Sequence, residues 1–536
     1  MNFNKISIIG LLSLSMLGCT KLNEHLNDEF VIAPGGGGGS AAGLLLNTYN
    51  DMAGLFHGQD QLFSLEENTS DECLVPTRGG DWDDNGVWRV LHAHAWDATH
   101  GQSATVFTGL GTMESDATTV LALNPTPEQA AEATFLRSMA QFYFLDLYGQ
   151  VPYRTVANYN TVDASPVMKP ADAIDTLVTN LTGIIPLLPA ANGPYKASAD
   201  AARFLLMKVL LNKQAFLNKQ TPGTADAGDM AQVIALGNAI KNGGYVLNAN
   251  YFDNFGPNNG GFAPGVGTGK STEMIFAYPN NGTSTNAGIG NAGIDARWMM
   301  TLHYNSWDAP GVYGGAGWNG FSTVADFYNA FDATDSRRGN VAYPGVTNVS
   351  GLKVGLLEGQ QYNEAGNKEM DRKGNPLIFA PTVDLVESNV NTLEGDGIRI
   401  IKYSPDYAHY TSTASNQLIF FRYADVLLMI AEAQLQTNNA AGALATINGL
   451  RGSRGAPALT SLSLVNKGNL YDGTTLLAER QKELYWESWR RQDLIRYGVF
   501  LQPWALKAAD DPKFLLFPIP ATQLVANPNL KQNPGY

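Results

Sequence analysis

Apolar residues recur at helical spacing in several well-separated stretches of this chain. The densest is Ala130 to Pro152, AAEATFLRSMAQFYFLDLYGQVP, where Leu136, Met139, Tyr143 and Leu147 form one row and Phe135, Phe142 and Leu145 widen it. Glu132, Arg137, Gln141 and Asp146 are its only strongly polar side chains. A helix apolar around most of its circumference is normally buried, so this stretch predicts the central helix of a helical core. Gly149 stands where a C-terminal cap belongs, and Pro152 cannot continue the helix.

The same period returns elsewhere. Leu44, Leu45, Tyr49 and Met52 follow Ser40; further stretches run from Asp172 to Leu188, Asp200 to Asn218, Met230 to Lys241, Phe421 to Gln436, Ala440 to Arg451 and Thr475 to Tyr497. Helices of about 12 to 19 residues joined by short loops predict helix-turn-helix units stacked as tetratricopeptide-like pairs. In the last stretch Glu479, Glu483 and Glu487 lie four apart, with Arg480, Arg490 and Arg491 in reach. That spacing predicts an ion-pair network rather than a catalytic pair. From Tyr245 to Gln417 the helical period fades into Gly, Asn and Pro, and the closing LFPIPATQLVANPNLKQNPGY reads as an extended segment lying along the body.

The N-terminus follows another pattern. Lys5 precedes a short apolar run, Ile6 to Leu17, too short to span a bilayer but suited to a signal peptide core. It ends in Met16-Leu17-Gly18-Cys19, which predicts cleavage before Cys19 and lipidation of its thiol. The expected organisation is a signal peptide over 1–18 and an anchor with a glycine-rich linker over 19–43. One domain follows over 44–536: a helical core over about 44–242 and 418–500, an irregular insertion over about 243–417 and a C-terminal segment over 501–536. Cys73 is the only other cysteine, so lipidation of Cys19 leaves no intrachain disulfide. A formal charge of −14 argues against nucleic acid as a partner.

Candidate chemistry gathers in two places. Ser64 to His100 carries Glu66, Glu67, Asp71, Glu72, Arg78, Asp81, Asp83 and Asp84, interleaved with Trp82, Trp88 and Trp96. Paired carboxylates there could act as in a glycosidase. Alternatively, indole faces beside Asp and Arg could hold a sugar, whose C–H face stacks on a ring while its hydroxyls bond to carboxylate and guanidinium. His92 and His94 could form half a metal site, but no third ligand stands at a telling spacing. The second cluster, Trp298, Tyr304, Trp307, Tyr313 and Trp318, is spaced by glycines and suits a recognition surface. PGVGTGKST, from Pro264 to Thr272, imitates a nucleotide-binding loop. It lacks the first glycine and a leading strand, and a strand-like run rather than a helix follows.

Taken together, the motif ending at Cys19, FLRSMAQFYFLDLYGQVPY, FFRYADVLLMIAEAQ, INGLR, AERQKELYWESWRRQDLIRYG and FPIPATQLVANPNLKQNPGY resemble the SusD/RagB family of surface lipoproteins. The resemblance implies a mainly α fold: four tetratricopeptide-like helix pairs, a large loop-rich ligand-facing insertion and few short strands. It implies no catalysis and no cofactor, although some members hold a structural calcium. It implies an oligosaccharide ligand, or in some members a peptide. The implied partner is a TonB-dependent β-barrel transporter of the SusC type at the outer membrane, reached through the N-terminal lipid. By order and spacing the implied ligand contacts are Asp71, Arg78 and Trp96, with Trp298 or Tyr304 and Trp318; Trp82 and Trp88 stand close enough to substitute.

Overall fold

The stretch that leads the sequence pattern is a helix from Pro127 to Tyr148, opened by a reciprocal capping box between Thr126 and Gln129 and closed by Gly149 in the left-handed region (φ 66°). The computed structural model describes residues 39–190, 193–260, 270–280, 282, 293–304, 317–342, 353–362, 366–388, 393–406 and 414–536. Ala41–Tyr536 forms one compact unit. The signal peptide, Cys19, Trp307, Tyr313 and most of the nucleotide-loop look-alike lie outside the described residues.

We number the eight principal helices α1 Ala41–Phe56, α2 Gly101–Ala122, α3 Pro127–Tyr148, α4 Pro170–Ile184, α5 Ala199–Leu217, α6 Ala227–Lys241, α7 Tyr423–Gln436 and α8 Ala440–Ser453. Each packs on the next in this order, making four consecutive pairs. The fold is mainly α and tetratricopeptide-like. Helix α3 is buried from Phe135 onward on almost every side. Two of its buried acids are matched: Glu132 accepts from the Tyr49 hydroxyl at 2.7 Å, and Asp146 from Lys219 at 3.1 Å and Gln492 at 2.9 Å. The C-terminal segment completes its last turn. The Phe517 N–H donates to the Leu147 carbonyl and the Asn533 amide to that of Tyr148, filling acceptors that no intrahelical donor reaches.

Between α6 and α7 the chain makes its long excursion. Its ends are joined by two antiparallel strands, β1 Met274–Tyr278 and β2 Leu418–Arg422, both wholly buried. Phe276 meets Phe135 of α3 edge-on at 5.1 Å, and Phe421 stacks on Phe204 of α5 at 4.3 Å. The excursion is thus pinned to the helical body at its root, where α7 also reaches α6 to continue the stack.

The sequence pattern predicts one helix over 475–497; the structure has two, α9 Leu476–Leu484 and α10 Arg490–Arg496. At the break, Trp486 and Ser488 adopt left-handed backbone (φ 57° and 65°), and their N–H groups donate to Glu72 and Glu67. Those distant carboxyls stabilise a break that local sequence does not encode. The expected ion-pair network is present with different partners. Glu483 takes Arg422 at 2.7 Å, Arg454 at 2.9 Å and Arg337 at 3.1 Å, and Glu479 takes Arg337 and Arg451. Glu487 takes Lys402 and Arg422. Arg480 instead pairs with Asp425 and Asp493.

Candidate functional site

A tight junction of two short segments builds the exposed aromatic surface. Residues 299–302 and 318–321 are laced by backbone bonds: the Trp318 N–H donates to Met299 and that of Asn319 to Leu302. This lacing projects Tyr304 from one segment and Trp318 from the other. Trp82 arrives from the acid-and-tryptophan stretch in left-handed backbone (φ 60°), its indole N–H donating to the Trp318 carbonyl at 2.7 Å. Its ring lies flat over Gly320, where a Cβ would stand 2.3 Å from the indole; only glycine admits that approach. Trp88 and Phe321 meet Trp82 edge-on from behind, at 5.2 and 5.6 Å. The result is a shelf with Trp318 outermost, 37% exposed, and with Tyr304 and Trp82 half-buried.

Beside the rings lies a polar pocket of about 100 Å³, lined by Arg78, Asp81, Tyr304, Asn319, Arg372 and Glu394 among others. The Tyr304 hydroxyl donates to Asp81, and the Arg372 guanidinium sits 3.8 Å from the centre of the Tyr304 ring. Burial, with the Asp81 carboxylate next, pushes the Tyr304 phenol up to about 12, so it remains a donor at neutral pH. Burial alone would raise Glu394, but the Arg372 N–H and guanidinium together with His303 hold its carboxyl below the usual range. Burial brings His303 down to about 4; neutral, it donates to Glu394 at 2.7 Å. The pocket therefore presents fixed donors and acceptors around one open ring face.

Of the residues singled out in sequence, Arg78, Trp82, Tyr304 and Trp318 come together here, with Trp88 as backing rather than contact. Asp71, Trp96 and Trp298 do not. Asp71 is wholly buried, forked by Arg490 at 2.6 and 2.7 Å. Trp96, 2% exposed, stacks on Phe517 at 4.8 Å and meets Phe514 edge-on. Trp298 is fully enclosed. Asp71 and Trp96 serve the fold because remote segments cover them, Arg490 the one and Phe514 and Phe517 the other. Asn319, Arg372 and Glu394 are site residues that the sequence pattern missed; single polar residues in loops carry no periodic signal.

The paired-carboxylate reading meets the same obstacle. Burial first, and Glu72 second, push Glu67 up, while burial brings Glu72 to about 7. Such values suit acid catalysis, yet both side chains are sealed inside the protein and hold the break before α10. His92 and His94 have both ring nitrogens engaged, His92 with the Cys73 and Ala505 carbonyls and His94 with Asp510 and the Thr69 carbonyl. Among the described residues no three His, Cys, Asp or Glu side chains gather as a metal ion would need.

Stacked helix pairs carrying a ring-lined polar shelf, built jointly by the stretch before α2 and by the excursion, define a tetratricopeptide-like class of fold with a surface suited to binding. Residues 248–513 match the model of the SusD family. The starch-binding protein SusD of Bacteroides thetaiotaomicron is 24% identical over 88% of this chain and 85% of its own. A SusD-like protein of Formosa agariphila is 23% identical over 99% of both chains. Among solved structures, a SusD superfamily protein from Parabacteroides distasonis shares the fold with TM-score 0.68 at 17% identity, over 92% of this chain and 98% of that one. A laminarin-binding SusD-like protein does so with TM-score 0.64 at 19% identity, over 92% and 99%. The chain belongs to the SusD family.

Proposed function

We propose that this protein captures a glycan at the cell surface and passes it to a TonB-dependent β-barrel transporter of the SusC type. A lipid on Cys19 would tether it to the outer membrane. The observation that carries this reading is the shelf itself: an exposed indole face at Trp318, flanked by Tyr304 and Trp82, beside fixed donors and acceptors. A sugar ring needs both, a flat apolar partner for its C–H face and directed hydrogen bonds for its hydroxyls. The starch-binding relative and the laminarin-binding neighbour support a carbohydrate ligand. Of the acids between Glu66 and Asp84, Glu66, Glu67, Asp71 and Glu72 are enclosed, while Asp81 accepts from Tyr304, Asp83 pairs with Arg89 and Asp84 accepts from the Trp88 indole; among the described residues no helix is long and apolar enough to cross a membrane.

Calorimetric titration against a glycan panel tests the reading. Trp318→Ala is expected to lower affinity about tenfold or more, equivalent to about 1.4 kcal/mol, while leaving the melting temperature within a few degrees. Retained affinity in Trp318→Ala would place the site elsewhere. Copurification of the full chain with its transporter tests the hand-over.

A further inference from the structure

The arginines beside the shelf are unlike most other buried arginines in the molecule. Arg337 meets Asp335 and Glu479 at 2.7 Å, Arg480 meets Asp493 at 2.7 Å, and Arg490 meets Asp71 at 2.6 Å. Among the described residues, Arg78 and Arg399 have no carboxylate within 4.0 Å. Both are buried, and both donate to the same Ser322 hydroxyl at 2.8 Å, so two like charges lie side by side. Their remaining bonds go to neutral acceptors: Arg78 to the Leu393 carbonyl, and Arg399 to the Asp396, Gly397 and Glu394 carbonyls and to Asn319 Oδ1.

Three donors in this group are buried with no acceptor: Arg78 Nε, Arg399 Nε and Asn319 Nδ2. Arg78 and Asn319 line the pocket beside Tyr304. The acids of that pocket are already engaged. Asp81 takes the Tyr304 hydroxyl, Glu394 takes Arg372 and His303, and Asp371 accepts from the N–H groups of Lys373 and Asn375 and from the Asn375 amide. The nearest acids behind it are Glu387 and Asp396; burial and Asp396 raise Glu387 to about 7, which weakens its compensation. Burial lowers Arg78 to about 10, and burial with the charge of Arg78 lowers Arg399 further, as expected of cations lacking a counter-ion. Arg297 also lacks a carboxylate, but it sits on the Phe63 ring and donates to the Phe56 carbonyl, beside a space of only about 20 Å³, room for about one water and not for a sugar's acid group.

A guanidinium stays charged at any physiological pH, and burying one without a counter-ion is costly. We infer that the pocket takes an oxyanion carried by the glycan, a uronate carboxylate or a sulfate ester, held by the Arg78 guanidinium and the Asn319 amide. The ligand is then an acidic polysaccharide. This rests on the glycan-capture reading and specifies its substrate class.

The test uses the full chain and two matched probe pairs: oligogalacturonate with its methyl ester, and a sulfated galactan oligosaccharide with its desulfated form. At least one charged member is expected to bind about tenfold more tightly than its neutral partner, the increment of one good charge-assisted bond. The pair that shows the preference tells carboxylate from sulfate. Asn319→Asp is the decisive variant. Its carboxylate would pair internally with Arg399, so the melting temperature should rise while the charged-over-neutral preference disappears. Arg78→Gln should also abolish the preference, and if it fails to fold, Asn319→Asp decides alone. Equal binding of charged and neutral probes, with affinity still dependent on Trp318, overturns this inference and leaves glycan capture standing. No binding of any glycan overturns both.

Discussion

The seam under α9 and the pocket beside Tyr304 both bury arginines, and they treat them in opposite ways. In the seam, Arg337, Arg422, Arg451 and Arg454 converge on Glu273, Glu479, Glu483 and Glu487 at 2.6 to 3.2 Å. Every charge there has its complement in the same chain. At the pocket, Arg78 and Arg399 make do with carbonyls, one hydroxyl and one amide. The difference separates a joint from the site proposed above: a satisfied ion cluster holds elements in register, whereas buried donors left unsatisfied beside a pocket are what an outside oxyanion would complete.

The strongest way to break the comparison is at its satisfied end. Glu483→Gln would leave three guanidiniums short of a carboxylate, and denaturant unfolding should show a loss of about 3–5 kcal/mol. A loss below 1 kcal/mol would mean that the seam does not hold the excursion to the helices. Those guanidiniums, against the opposing effect of burial, hold the Glu483 carboxyl well below its usual range. Its contribution is therefore complete at neutral pH, begins to fall as pH drops below the ordinary carboxylate value of about 4.5, and is gone once acid passes the lowered one.

Next comes Trp96→Ala, expected to cost about 3 kcal/mol of stability through the cavity left against Phe514 and Phe517. Glycan affinity should not change. A large affinity loss with unchanged stability would return Trp96 to the binding surface. Trp318→Ala should show the reverse pattern.

The smallest effect is a pH dependence. Glu114 on α2 is raised to about 7 by burial, only partly offset by Arg137. A raised carboxyl binds its proton in the folded state first, so its contribution is present below about pH 4.5 and is lost as pH rises through about 7. Glu114→Gln should therefore flatten the decline in stability between those limits by about 1–3 kcal/mol, as read from melts across pH. An unchanged slope would assign the decline to other groups, Glu72 among them.

The helical frame was legible wherever apolar rows were dense, as in α3 and α5. Helix α2 was not, although Val106, Leu110 and Met113 form its buried spine. Its outer face is rich in Thr, and the hydroxyls of Thr105, Thr108, Thr112 and Thr119 return to carbonyls four residues back, hiding a helix behind polar composition. The break between α9 and α10 was illegible because Glu67 and Glu72, far away in sequence, hold it. At the site, glycine spacing pointed to Tyr304 and Trp318, which the fold places on the shelf, Trp318 exposed and Tyr304 half-buried. The same spacing misplaced Trp298, and Trp96 was misplaced because Phe514 and Phe517, which cover it, lie some 400 residues downstream.

The strand pair β1–β2 has one further consequence. Because the excursion departs and returns through adjacent, buried strands, its two ends stay together whatever the length between them, while Arg337 and Lys402 tie its interior to Glu479, Glu483 and Glu487. Extending the intervening chain raises closure entropy merely as a logarithm of its length. Loops of the excursion that lie outside those ties can accordingly lengthen or shorten like slack in a rope made fast at both ends, while the helical stack that receives them stays the same.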